Sequence, residues 1–247
     1  MIVNKEHDLL ARASVEELVA LTSGRDFWHT NPLPRLGIPA MRVSDGPVGA
    51  RGTRYDGAPS INVPCSTLLA ATWDPALVEQ VGGLLGRETR AKGASVLLAP
   101  TVNLHRTPVG GRNFECMSED PYLTAETAVE YVKGVQSQGV ASCIKHFVGN
   151  DTEFERMSID SHIDERTLRE TYLVPFEAAV TRAGVMAVMT AYNRINGPWA
   201  ADSPLIAEVL RGEWGFDGAV ISDWYGLHST VDGVKAGLDL EMPGPTL

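Results

Sequence analysis

The sequence predicts an α/β fold, specifically a (β/α)8-type TIM barrel that is imperfect or incomplete. Apolar runs typical of buried strands alternate with helical segments that begin at capping residues and end at glycine. The chain has 247 residues, a length at which such a barrel commonly forms one domain. A doubly wound open sheet is the second choice, because no phosphate-binding loop or dinucleotide glycine pattern opens any of the helices.

Seven segments have the pattern of buried parallel strands, which is a continuous apolar run bounded by turn residues. In chain order they are 41–45, 67–73, 95–104, 140–147, 185–193, 218–224 and 236–242. The count is one short of eight, and the chain stops soon after the last segment. We therefore expect an imperfect barrel that is also part of a longer protein.

Four predicted helices carry start and stop signals. They begin at Asp74-Pro75, Asp120-Pro121, Asp164 and Ser203-Pro204, and they end at Gly93, Gly139, Gly184 and Gly212. An Asp or Ser side chain caps the free N–H groups of a first turn, proline fits the first helical position, and glycine ends the helix. The third helix contains Pro175, which removes a backbone donor, so we expect a kink there.

Composition argues against several classes of partner. The net charge of −10 disfavours binding to nucleic acid or to an anionic membrane. No apolar stretch approaches the length of a membrane span, and the first residues lack the regions of a signal peptide. Cys65, Cys116 and Cys143 have no metal-ligand spacing and cannot all pair, so we expect reduced thiols in a cytoplasmic protein.

The most informative segment is 218–224, a buried strand that ends at Asp223 with Trp224 beside it. The carboxyl ends of parallel strands in a barrel face the side on which active sites lie. A buried carboxylate there is costly unless it is used. Taken alone, Asp223 could equally cap the next helix. The functional interpretation is favoured because other strands end in the same way.

Those other strand ends carry groups suited to a sugar. They are Asp45, Arg112 in a glycine-rich loop, Lys145 and His146, Arg156, and Met189 with Tyr192. Charged groups form strong hydrogen bonds to hydroxyls, and an aromatic plane covers the C–H face of a sugar ring. Neither a metal-ligand spacing nor a Gly-x-Ser-x-Gly elbow is present, so we expect glycoside chemistry without a metal or cofactor.

Five of these residues have an ordinary structural alternative. Lys145 and His146 could be a structural pair under the sheet, and Arg112 a solvated loop charge. Met189 is more often core packing than a ligand contact. Arg156 lies in a charged stretch and could belong to a solvated face.

Together these segments resemble the β-glucosidases of glycoside hydrolase family 3. The matching segments, in the family's order and approximate spacing, are Ser44-Asp-Gly-Pro47, Gly111-Arg-Asn-Phe-Glu115, Lys145-His-Phe147, Met189-Thr-Ala-Tyr-Asn193 and Ile221-Ser-Asp-Trp224. The resemblance covers nearly the whole chain. It implies that Asp223 is the nucleophile of a retaining mechanism and that Trp224 flanks the scissile bond. It further implies that the −1 sugar is held by Asp45, Arg112, Lys145, His146 and Arg156, with Met189 and Tyr192 lining the site.

Retaining hydrolysis needs two carboxyl groups about 5–5.5 Å apart. In the β-glucosidase branch, the resemblance places the acid/base on an α/β domain C-terminal to the barrel. We therefore expect that domain as a further segment or a separate chain, acting with this barrel on a β-glucoside or a short β-linked oligosaccharide.

Two alternatives remain open. In the N-acetylglucosaminidase branch the barrel itself supplies an Asp/His dyad, for which Asp160 and His162 are the candidates. They lie several residues further along than that dyad should, and Asn150 stands where that branch has a histidine. The other alternative is a sugar-binding barrel without efficient turnover. Arg51 and His105 lie near the predicted site and receive no role.

Overall fold

Parallel strands surrounded by helices form the domain, in a computed structural model that describes residues 3–52 and 57–244. The strands in these residues are β1 (Val43–Asp45), β2 (Val96–Leu98), β3 (Ala141–Phe147), β4 (Asp160–Ser161), β5 (Ala187–Thr190), β6 (Arg194–Ile195) and β7 (Ala219–Ile221). Five of them form one parallel sheet in the order β1-β2-β3-β5-β7, and β4 pairs with β6. Five of the seven predicted strands therefore appear in this sheet, each shorter than its apolar run.

Isolated bridges connect the two edges of this sheet. From β7 round to β1 they join Ile221 to Leu240, Glu241 to Ser23, Gly24 to Thr30, and His29 to Arg42. The first two bridges are parallel and the last two antiparallel, so the segment before β1 closes the ring as an irregular hairpin. The prediction of an imperfect barrel is confirmed. The strand predicted at 236–242 is reduced to the bridges at Leu240 and Glu241.

Helices alternate with the strands along the chain. They are α1 (Val3–Arg12), α2 (Val15–Leu21), α3 (Ser66–Ala70), α4 (Pro75–Ala91), α5 (Pro121–Gln136), α6 (Glu165–Thr167), α7 (Val174–Ala183) and α8 (Val231–Ala236). Asp74, Asp120 and Asp164 cap α4, α5 and α6 by accepting backbone N–H groups, as predicted. The helix predicted to kink at Pro175 is interrupted: a π-helical turn at Leu168–Tyr172 separates α6 from α7, and Pro175 lies in the first turn of α7. The fourth predicted helix is a π-helical segment, Ile206–Glu213.

The prediction of a strand at 67–73 is wrong, because this segment contains most of the short helix α3. Ser66, Leu69 and Ala70 are buried, whereas Leu68 is exposed. Burial at positions i, i+3 and i+4 is the pattern of a helix with one covered face. The apolar run was too short for its periodicity to distinguish a helix from a strand.

The strands of the sheet are buried on both faces, as expected of a parallel sheet. Val96 and Leu98 of β2 belong to a cluster formed by the strand residues that face the barrel interior. The intervening Leu97 belongs to the larger cluster that also contains Leu85 of α4 and Phe176 of α7. This alternation fixes which strand residues face inwards and which support the helices.

The cysteines are free thiols. Cys116 and Cys143 are buried, Cys65 is partly buried, and burial raises the pKa of Cys116 and Cys143 to about 12. In the described part of the chain, no helix has the length and apolar character that a membrane crossing requires.

Candidate active site

A pocket of about 220 Å³, here called the sugar pocket, opens at the carboxyl ends of the strands. Its lining consists of Phe27, Trp28, Asp45, Leu98, Arg112, Lys145, His146, Arg156, Met189, Tyr192, Asp223 and Trp224. The structure thus brings together all of the residues proposed for the site from the sequence. Phe27, Trp28 and Leu98 were not found by the sequence analysis.

The parallel sheet explains why these side chains meet. Asp45 is the last residue of β1, Leu98 the last of β2, and Met189 lies near the end of β5. Asp223 follows β7 by two residues. Since parallel strands end at the same edge, residues far apart in the sequence converge there.

A bulge in β3 gives the pocket two polar groups from adjacent positions. The pairing of β3 with β5 shifts between Ile144 and Phe147, so that Lys145 and His146 together oppose Met189. Neighbouring residues of a regular strand point to opposite faces, and a bulge changes this alternation. Lys145 and His146 therefore both line the sugar pocket.

Asp45 is held as an anion by two cations. Lys145 Nζ donates to Oδ1 at 2.8 Å, and Arg51 Nη1 donates to Oδ2 at 3.1 Å. Burial acts to raise the pKa of Asp45, but the two cations outweigh it and lower that pKa to about 2. Arg51, which received no role from the sequence, is thus a direct partner of a pocket residue.

His146 is a neutral imidazole of defined tautomer. Its Nδ1 lies 3.0 Å from Asn103 Oδ1, and the Asn103 amide donates to the His146 carbonyl at 3.1 Å, which identifies Oδ1 as the acceptor. Nδ1 therefore carries the proton, and Nε2 accepts from Arg112 Nη2 at 3.3 Å. Burial, together with Arg112, Lys145 and Arg156, holds the pKa of His146 well below its usual range.

Asp223 is 7% exposed, and its nearest polar neighbours are uncharged. Its Oδ1 accepts the Trp224 backbone N–H at 2.7 Å, and its Oδ2 lies 3.5 Å from His146 Nε2. Burial raises the pKa of Asp223, although Lys145, the Trp224 N–H, the Tyr192 hydroxyl and Arg112 all act to lower it.

Aromatic rings form one wall of the sugar pocket. The Trp224 indole N–H donates to the Phe27 carbonyl at 3.1 Å, and the rings of Trp28 and Trp224 have centroids 5.5 Å apart. Phe27 and Trp28 belong to the irregular hairpin that closes the barrel. No helix or strand periodicity marks this segment, so only the aromatic character of the pair could have indicated a role.

The two pocket arginines each have a carboxylate partner. Arg112 Nε donates to Glu115, and Arg156 Nη1 lies 3.2 Å from Glu153 Oε2. The Arg156 guanidinium also lies 4.9 Å from the centroid of the Tyr192 ring. Both arginines are therefore partly buried and have defined partners.

Asp160 and His162 do not line the sugar pocket. Asp160 Oδ2 lies 3.6 Å from His162 Nε2, and the His162 side chain is 81% exposed. His162 instead borders a second cavity, together with Arg106 and Asp151. Over the described ranges, no group of three or more His, Cys, Asp or Glu side chains is arranged to hold a metal ion.

Comparison with protein families gives one match over most of the chain. The model of the glycosyl hydrolase family 3 N-terminal domain matches residues 9–244. A β-glucosidase of Rhizobium radiobacter is 58% identical over 241 residues, which cover 96% of this chain and 30% of that protein. A probable β-glucosidase J of Aspergillus fumigatus is 55% identical over 240 residues, which cover 96% of this chain and 28% of that protein. The chain thus spans about 30% of the length of these curated relatives.

Solved structures give the same result. A β-glucosidase of Kluyveromyces marxianus in complex with glucose has a TM-score of 0.96 and 49% identity, covering 98% of this chain and 29% of that one. β-Glucosidase 3B of Thermotoga neapolitana in complex with glucose has a TM-score of 0.93 and 44% identity, and the match covers 97% of this chain and 36% of that one.

Proposed function

The chain belongs to glycosyl hydrolase family 3, and from that premise we propose that it is the sugar-binding barrel of a retaining β-glucosidase. The activity is removal of a terminal β-D-glucosyl residue. The observation that carries the proposal is the buried Asp223 carboxylate facing a pocket of hydroxyl-binding groups. Relatives named β-glucosidases, and structural neighbours that hold glucose, support the choice of sugar.

Asp223 acts as the nucleophile. One of its oxygens attacks the anomeric carbon, the bond from that carbon to the leaving-group oxygen breaks, and its electron pair leaves with that oxygen, which takes a proton from a general acid. Water then attacks the same carbon, gives a proton to the same group acting as base, and releases β-glucose with the Asp223 carboxylate restored.

The remaining pocket residues hold the −1 sugar. Asp45 accepts hydrogen bonds from sugar hydroxyls, and Lys145 donates to a hydroxyl oxygen beside it. His146 is neutral, and its Nε2 can accept from a sugar hydroxyl in exchange for the Arg112 donor that lies 3.3 Å away.

The other side chains complete the binding site. Arg112 and Arg156 donate to further hydroxyls. Met189 and Tyr192 line the space around the sugar ring, and Trp224 flanks the scissile bond.

The general acid is proposed to come from the part of the longer relatives that this chain does not match. Within the described residues, the carboxylates that line the sugar pocket are Asp45 and Asp223. Asp45, with a pKa of about 2, is ionised at neutral pH and has no proton to give. A positioned general acid is typically worth 10²–10⁴-fold in rate, so the barrel is expected to turn over little by itself.

A mechanism-based label tests the nucleophile without the missing acid. A 2-deoxy-2-fluoro-β-glucoside with a dinitrophenolate leaving group needs little proton donation, so residues 1–247 should form a covalent glucosyl adduct. Intact-mass and peptide mass spectrometry should place the adduct on Asp223. Asp223→Asn should abolish labelling, whereas Asp232→Asn, at an exposed position of α8, should not change it. An adduct on any other carboxylate would contradict the assignment.

A further inference from the structure

Glu115 is a buried carboxylate next to the sugar pocket that the proposed mechanism does not use. It is 8% exposed, and both of its oxygens are occupied. Oε1 accepts from Arg112 Nε, and Oε2 accepts from the Thr101 hydroxyl at 3.2 Å. A buried carboxylate is costly unless it is paired, and Glu115 is paired through Arg112 and Thr101.

Glu115 fixes the direction of the Arg112 side chain. One edge of the guanidinium, at Nε, faces Glu115, and Nη2 faces His146 Nε2. Thr101, the other partner of Glu115, bridges to Lys145 of β3. The Glu115 carboxylate is therefore anchored to the same strand end that carries the sugar-binding groups.

The charges around the pocket are divided into separate pairs. Lys145 pairs with Asp45, Arg112 with Glu115, and Arg156 with Glu153. Over residues 3–52 and 57–244, no lysine or arginine nitrogen lies within 4.0 Å of an Asp223 oxygen. The groups that surround Asp223 are Lys145 and His146 of β3, Arg112, Tyr192 with Arg156 over its ring, and the Trp224 N–H.

We propose that Glu115 is a positioning residue for the nucleophile: it holds the Arg112 guanidinium in an ion pair of its own, so that Arg112 binds the sugar without forming a salt bridge with Asp223. The inference rests on the proposed role of Asp223. A carboxylate in a salt bridge is a weaker base, and nucleophilicity falls with basicity. The pairing of Arg112 with Glu115 thus keeps Asp223 reactive although two cations, Lys145 and Arg112, lie near it.

Glu115→Gln tests the charge while preserving the shape. The amide oxygen still accepts from Arg112 Nε, and the amide N–H can donate to the Thr101 hydroxyl. With the negative charge removed, the full charge of Arg112 acts on Asp223. The pH profile of labelling should then move its acid limb to lower pH, and the maximal labelling rate at neutral pH should fall about three- to tenfold. The concentration for half-maximal labelling should stay within about twofold, because Arg112 keeps its place.

Two matched variants separate this effect from a structural one. Glu126→Gln removes the same charge from an ion pair with Arg182 on the surface of α5. It should change neither the acid limb of the labelling profile nor the maximal labelling rate. In an Arg112→Ala background, Glu115→Gln should have no further effect, since Glu115 acts through Arg112. A merely structural Glu115 would lower thermal stability and raise the half-maximal concentration without moving the acid limb, and that result would overturn the proposal.

A readout without sugar chemistry keeps this inference distinct from the proposed function. In the chain labelled with ¹³C at the aspartate side-chain carboxyls, NMR titration follows Asp223, whose signal is assigned by its loss in Asp223→Asn. The pKa of Asp223 should fall in Glu115→Gln and stay constant in Glu126→Gln. A constant value in both variants would refute the role of Glu115. A fall without any covalent labelling would refute the nucleophile assignment and leave the pairing of Glu115 with Arg112 intact.

Discussion

Two cavities of similar volume and similar composition differ in how their charges are paired. The sugar pocket and the second cavity each measure about 220 Å³, and each is lined by aspartate, arginine, histidine and tyrosine side chains. The lining of the second cavity consists of Arg106, Thr107, Gly149, Asp151, Thr152, Ser161, His162, Ile163 and Tyr172. The four residue types that the two cavities share therefore do not distinguish them.

One aspartate of each cavity, Asp45 in the sugar pocket and Asp151 in the second cavity, has an environment opposite to that of the other. Asp45 binds Lys145 and Arg51, and its pKa is lowered to about 2 despite burial. Asp151 accepts the Leu104 backbone N–H, and among the described residues no lysine or arginine nitrogen lies within 4.0 Å of its carboxylate. Burial raises the pKa of Asp151 to about 6. The sugar pocket therefore contains an aspartate paired with two cations, Asp45, beside the unpaired Asp223, whereas the second cavity has no aspartate paired in this way among the described residues.

The largest expected effect comes from breaking a pair in the sugar pocket. Asp45→Ala leaves Lys145 buried without its anion and removes an acceptor for the sugar. Loss of a charged hydrogen bond costs about 1.5–3 kcal/mol, so glucose affinity measured by calorimetry should fall about ten- to hundredfold. Removing one partner of a buried pair should also lower the free energy of unfolding by about 3–5 kcal/mol.

The matched variant in the second cavity is Asp151→Asn. It keeps an acceptor for the Leu104 N–H and should leave glucose affinity within about twofold, since Asp151 lies outside the sugar pocket. Equal losses of affinity in Asp45→Ala and Asp151→Asn would show that the distinction between the two cavities is wrong.

The second expected effect is a difference in sign of pH dependence. The folded pKa of Asp45 is depressed, so its stabilising contribution is present above the ordinary aspartate pKa and is lost as the pH falls through about 2. The folded pKa of Asp151 is raised, so its contribution is present below the ordinary pKa of 3.8 and is lost as the pH rises through about 6. Of these two residues, only Asp151 is therefore expected to change its contribution to stability between pH 4 and pH 7.

Chemical denaturation at several pH values measures this difference. Between about pH 4 and pH 7, the free energy of unfolding of the wild type should decrease relative to that of Asp151→Asn, by up to about 3 kcal/mol. Asp232→Asn, at an exposed position, serves as the control with no such change. If the difference between wild type and Asp151→Asn is constant over this range, Asp151 is ionised throughout, and its charge state is the same as that of Asp45.

Much of the site was predictable because strand topology converts sequence order into position. The apolar runs before Asp45, Lys145 and Asp223 are long enough to mark buried strands, and parallel strands end at one edge. The structure accordingly gathers these residues in one pocket, although their chemical roles remain predictions. The outer helices were also predictable from the sequence, because Asp-Pro and Asp caps are local signals.

Other features depend on contacts that no local pattern records. Phe27 and Trp28 reach the pocket through antiparallel bridges next to β1, in a segment without periodicity. The pairing of Glu115 with Arg112 requires the three-dimensional course of a loop that the sequence marked only by its glycines. The segment 67–73 was misassigned because a five-residue helix with one buried face contains too few residues to show its period.

The smallest expected effect is that of His162→Ala, and it tests the division between the two cavities most directly. The His162 side chain is 81% exposed, lies 3.6 Å from Asp160, and borders the second cavity rather than the sugar pocket. Its removal should therefore leave the labelling of Asp223 and the affinity for glucose within about twofold of wild type, as expected for an exposed residue far from the reacting atoms. Hydrolysis of an activated N-acetylglucosaminide by residues 1–247, abolished in His162→Ala, would instead show that the Asp160 and His162 pair reaches the sugar. The general acid would then lie within this chain, and the two cavities would have to act as one site.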